Sequence, residues 1–148
     1  MFRLLIATLT AAAGLAGCIG DPVMRDVGGS IYPATLVHTS WDVASIDGRV
    51  PQAARITASF DETRVRGDGG CNTFGATYRY EGSTGRISVD VLIATKRACG
   101  EERSDLEAMF FRLLQSADRA ANEDAHRLIL TSPGGEIVLV QRAVFEGG

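Results

Sequence analysis

Apolar and polar residues alternate along much of the chain. In Arg55-Ile56-Thr57-Ala58-Ser59-Phe60 the alternation sets Ile56, Ala58 and Phe60 on one face of a strand. Asp61-Glu62-Thr63 then reads as a turn, Arg64-Val65-Arg66-Gly67 as a second strand, and Phe74 to Tyr80 as a third. Gly82-Ser83-Thr84-Gly85 predicts a hairpin turn into Arg86-Ile87-Ser88-Val89-Asp90-Val91, which alternates cleanly. Upstream, Leu36 to Ser45 is strand-like around Trp41, the single tryptophan, and Asp47-Gly48 marks a turn. A last hairpin is expected from His126–Thr131 and Glu136–Gln141 about Ser132-Pro133-Gly134-Gly135.

One segment changes period. Leu106, Met109, Phe110, Leu113, Leu114 and Ala117 recur at helical spacing, and Ser104-Asp105-Leu106-Glu107 has the form of a capping box at the start of that helix. Strands in succession interrupted by one helix predict an α+β domain, a curved antiparallel sheet or partial β-barrel packed on one α-helix.

The first residues follow neither period. A cationic start at Arg3 precedes an apolar run from Leu4 to Leu15, too short for a stable membrane span, and then small residues at Ala16-Gly17. This is a signal-peptide pattern, and Leu15-Ala16-Gly17-Cys18 resembles the bacterial lipobox, which implies acylation of Cys18. Several acyl chains on one residue anchor stably, since each buried methylene contributes about 0.8 kcal/mol. Ile19 rather than Asp follows the cysteine, which favours the outer over the inner membrane. The expected organisation is a signal peptide over 1–17, a Gly- and Pro-rich tether over 18–35 and a folded domain over 36–143 facing the periplasm.

Charge and cysteine count narrow the chemistry. A formal charge of −3 argues against nucleic acid as a partner, because that interaction needs dense basic patches. With Cys18 acylated, Cys71 and Cys99 remain in an oxidising compartment, where an even remainder predicts a disulfide. Neither has the Cys-x-x-Cys spacing of a redox site, and scattered His38 and His126 lack the close-paired spacing of a metal site, so no metal or cofactor is expected. The glycine cluster Gly67 to Gly75 could cradle a phosphate, but no Lys-Ser/Thr follows it and a strand succeeds it. It reads instead as a turn, with its glycines, Gly67 and Gly70 among them, tolerating positive φ and Asn72 bonding nearby backbone. Arg64 and Arg66 share a strand face that could meet anionic lipid headgroups, or simply be solvated beside Asp61, Glu62 and Glu81.

The order of these signals carries a resemblance. Trp41, Arg64-Val65-x-Gly67, Gly70-Cys71-Asn72-x-Phe74-x-x-x-Tyr78, Thr95-x-x-Ala98-Cys99, and Glu107 with its helix resemble the META-domain (HslJ-like) family over Leu36 to Arg142. The chain departs from the family pattern at Arg97, where Met is usual, and at Val140, where an aromatic is common. The resemblance implies an envelope lipoprotein tied to stress and antibiotic tolerance, with no catalytic residues to carry over. The functional expectation is a non-enzymatic, membrane-anchored protein that supports outer-membrane integrity by binding an envelope protein or small ligand. The alternatives are a carrier of small apolar ligands, or a hydrolase. No Gly-x-Ser-x-Gly or paired-carboxylate signal favours the last.

Overall fold

The computed structural model describes residues 32–142. The expected signal peptide, the lipidation position Cys18 and nearly all of the tether lie outside the described residues. Within them the elements run β1 (Tyr32–Pro33), β2 (Thr39–Ile46), β3 (Thr57–Phe60), β4 (Arg64–Asp68), β5 (Thr73–Glu81), β6 (Arg86–Val89), β7 (Ile93–Ala94), α1 (Glu101–Gln115), β8 (Arg119–Asp124), β9 (Arg127–Ser132) and β10 (Gly135–Gln141).

The strands pair antiparallel, and eight of them close into a ring in the order β8-β6-β5-β4-β3-β2-β10-β9, with β9 returning to β8 from Arg119↔Thr131 to Asp124↔Arg127. The α+β class is as expected, but the partial barrel is in fact closed. The closing strand is β8, Arg119-Ala120-Ala121-Asn122-Glu123-Asp124, which has no apolar alternation and few β-favouring residues. It holds its place because Ala120 is fully buried and both its edges find partners, β9 along its length and β6 at Arg86↔Arg119. Two short strands fill the seams: β1 on β8 and β7 on β5.

Alternation puts Trp41, Ile56, Phe60, Val65, Leu128, Leu130 and Leu139 inside the ring, each 2% exposed or less. Helix α1 lies across one end of this core. Phe110, Leu113 and Leu114 are buried beneath it, and it packs on β2, β6, β9 and β10. At that end Leu113 touches the β9–β10 turn at Gly134, while Glu107 reaches the β4–β5 link.

The helix begins a turn earlier than its sequence pattern suggests. Gly100 is the N-cap and makes no side-chain cap bond, so the expected capping box at Ser104 is not formed. Glu101 and Glu102 supply negative charge in the first turn, where the helix dipole favours it. That frees Glu107 for a different task.

Candidate functional site

The glycine-rich link between β4 and β5 is where most of the motif residues meet. Gly67 stands opposite Ala58 in the ladder, and a Cβ there would come within 2.0 Å of the Thr57 carbonyl oxygen. A Cβ on Gly69 would meet the Phe111 ring and a Glu107 oxygen at 2.6–2.7 Å, so this glycine lets the helix approach the link. Gly70 takes φ +102°, a conformation side chains rarely adopt, and its N–H donates to Asp68 Oδ1 at 2.7 Å.

The bend aims two backbone amides at the helix. Glu107, only 7% exposed, accepts the N–H of Cys71 (3.1 Å) and of Asn72 (2.6 Å) on Oε2, and the Asn72 side-chain amide on Oε1 (2.6 Å). Asn72 Oδ1 in turn accepts from the Arg97 amide (2.6 Å) and the Thr95 hydroxyl (3.1 Å), and Thr95 Oγ1 accepts the Thr73 amide. A disulfide joins Cys71 to Cys99, as the cysteine count predicts. Three stretches far apart in sequence, Gly-Cys-Asn, Thr-x-x-Ala-Cys and the helical glutamate, therefore form one polar clasp, buried at Cys71, Asn72 and Glu107 and reaching the surface at Thr95. Buried polar networks hold when every member is paired, and these members are.

The remaining motif residues pack. Trp41 is buried and its indole N–H donates to Thr39 Oγ1 at 2.7 Å. Phe74 meets Phe110 and Phe111 edge-on at 5.5 and 5.3 Å, joining sheet to helix. Tyr78 sits edge-on to Phe60 and donates its hydroxyl to the Asp61 carbonyl at 2.6 Å, tying down the β3–β4 turn. Burial, reinforced by the nearby Asp61 charge, raises the Tyr78 pKa above the ordinary phenol value.

Outside the ring the picture is one of charge. Arg64 and Arg66 do share the outer face of β4, but Arg66 is paired with Asp61 at 3.2 Å. Asp61 itself accepts the amides of Thr63 and Arg64, and these bonds hold its carboxyl below the usual range. A second arginine group, which the sequence did not bring together, stands at the β5–β6–β8 seam: Arg79, Arg86 and Arg119 border a hollow of about 480 Å³. Only the recognition of β8 as a strand could have placed Arg119 beside Arg86. Another hollow, of about 660 Å³, lies along the β2–β3 connection from Val50 to Ile56. Among the described residues no group of three or more His, Cys, Asp or Glu side chains is set to hold a metal ion.

A family model described as META domain matches residues 34–145. Among solved structures, an NMR structure of a protein from Burkholderia xenovorans has a TM-score of 0.61 at 22% identity, covering 94% of this chain and 99% of that one. A second NMR structure has a TM-score of 0.58 at 18% identity over 71% of this chain and 90% of the other. The crystal structure of a DUF4847 family protein from Bacteroides vulgatus has a TM-score of 0.51 at 12% identity, covering 71% and 93%. At these identities the likeness establishes the fold alone. No curated protein matches the chain.

Proposed function

The chain belongs to the META domain family, and from that premise we propose that it is a non-enzymatic, lipid-anchored protein of the cell envelope that acts by binding. The observation that carries the proposal is the commitment of the motif's reactive groups to the fold. The Cys71 and Cys99 sulfurs are bonded to each other, and the Glu107 carboxylate accepts three hydrogen bonds from the link it clasps. A nucleophile or general base needs a free lone pair facing a cleft, and these groups face one another. The filled ring interior weighs against the carrier alternative, since a carrier needs its cavity where Trp41 and Phe60 are packed.

The anchor rests on Leu15-Ala16-Gly17-Cys18 and the apolar run before it. The disulfide suits the oxidising compartment such an anchor implies. In this proposal the domain faces the periplasm from the outer membrane and contributes to envelope integrity under stress. Metabolic labelling with radioactive palmitate tests it: the wild-type chain should take up label and Cys18→Ala should not. Label retained by the variant, or absent from the wild type, would overturn the anchor.

A further inference from the structure

Barrel closure sets two arginines side by side. Arg86 and Arg119 are the one register pair joining β6 to β8. The flanking bonds, Ile87 N–H to Asp118 carbonyl at 3.1 Å and Ala120 N–H to Gly85 carbonyl at 2.8 Å, show that this is a non-hydrogen-bonded pair. In such a pair the Cα atoms are about 4.5 Å apart and the side chains run closest together. Both residues are exposed, on the outer face opposite the buried Ile87 and Ala120. Like charges directly opposite each other destabilise a sheet. Neither is closed into an ion pair: Glu81 stands opposite Arg86 in the ladder, but among the described residues neither guanidinium has a carboxylate within 4.0 Å, and Arg119 makes one long hydrogen bond, to the Thr84 carbonyl at 3.4 Å.

The surroundings suit a particular ligand. Arg79 lies on the same outer face opposite Ser88 and is loosely paired with Asp90 at 3.6 Å. Glu81 and Asp118 complete the polar rim of the hollow. Paired guanidinium forks match the oxygens of a phosphate in two-pronged hydrogen bonds. Carboxylates a few ångströms away would repel a bare polyanion and accept hydrogen bonds from hydroxyls. A volume of about 480 Å³ exceeds what one phosphate fills.

We infer that the β5–β6–β8 seam is a binding site for a phosphorylated polyol, its phosphate held by Arg86 and Arg119 and its hydroxyls by Glu81 and Asp118. The same chemistry is offered by a free polyol phosphate and by a glycerophospholipid headgroup. The site is independent of the acyl anchor, so loss of palmitate labelling would leave it untouched.

Calorimetric titration of the full chain in a nonionic detergent tests the inference, with sn-glycerol 3-phosphate as one probe and dihexanoyl phosphatidylglycerol as the other. The wild type should bind at least one, with affinity falling as salt rises. Binding of the first marks a free metabolite as the source, and binding of the second alone marks a headgroup. Arg86→Ser with Arg119→Ser should weaken binding tenfold or more, whereas Arg64→Ser with Arg66→Ser should leave it within twofold. Arg119→Lys, which keeps the charge and removes the fork, should weaken it severalfold and serves if the double variant does not fold. No binding of either probe, or equal binding by wild type and Arg119→Lys, would overturn the site.

Discussion

Glu107→Gln is the sharpest perturbation of the clasp because it changes one atom. A glutamine can keep its oxygen at the Oε2 position and still accept the Cys71 and Asn72 amides. Its NH2 then points at the Asn72 side-chain NH2, where Oε1 had accepted a bond of 2.6 Å. Asn72 cannot flip to rescue the contact, since its own oxygen is held by the Arg97 amide at 2.6 Å, and flipping would set donor against donor there too. One buried hydrogen bond is lost and a donor is left bare, at a cost of about 2–3 kcal/mol. Glu107→Ala strands three donors and should cost about 4 kcal/mol, a large share of a small domain's stability. Guanidinium unfolding followed by Trp41 fluorescence and far-UV circular dichroism measures both. Reducing Cys71–Cys99 should by itself remove about 3.5 kcal/mol, from the loop of 28 positions it closes. Because the disulfide and Glu107 hold the same Cys71-Asn72 link, the glutamine variant should cost less in the reduced protein, where that link is already loosened, than in the oxidised one. Glu107→Gln within about 0.5 kcal/mol of wild type in the oxidised protein, an ordinary surface effect, would refute the clasp.

Gly67→Ala should destabilise by about 3 kcal/mol, because the new methyl meets a backbone oxygen of β3 rather than a side chain that can swing away; thermal melting checks it, and an unchanged midpoint would show that the ladder yields there. Asp42 is held below its ordinary pKa of 3.8 chiefly by its hydrogen bonds to Arg55, with Arg142 adding and partial burial opposing. A carboxyl lowered in this way contributes stability above pH 3.8, which is lost as pH falls through the folded-state value. Asp42→Asn should thus be less stable at neutral pH and lose less on acidification, as seen in unfolding curves between pH 6 and about 2.

Much of the barrel was legible because its strands are amphipathic. Ile56-x-Ala58-x-Phe60 and Tyr78-x-Tyr80 declare their inner faces, and β2 to β6, the final hairpin and the buried face of α1 follow from such patterns. The closing strand carries no such mark: only Ala120 is buried along it, and its place is fixed by partners on either side. Glu107 departs from its local pattern for a related reason. Ser-x-x-Glu at a helix start is a local signal, and here a contact with Cys71 and Asn72, 36 and 35 residues away, outweighs it. The Arg86–Arg119 pair was invisible for want of β8, whereas the visible Arg66 is paired with Asp61.

The closed ring also dictates the order in which the chain can fold. Strand β2, the first long strand, pairs on one side with β3, its neighbour in sequence, and on the other with β10, the last. Arg142 bonds Asp42 across 100 positions. Both seams that complete the ring, β2–β10 and β8–β9, need the final hairpin. An emerging chain can build the meander from β2 to β6, but that meander exposes the apolar face that Leu128, Leu130, Ile137 and Leu139 later cover. Non-local pairing of this kind slows folding, since loop closure comes before the contacts that offset it. No prefix ending before β10 can lock into the barrel, and under the proposed export that delay would keep the chain unfolded while it crosses the membrane.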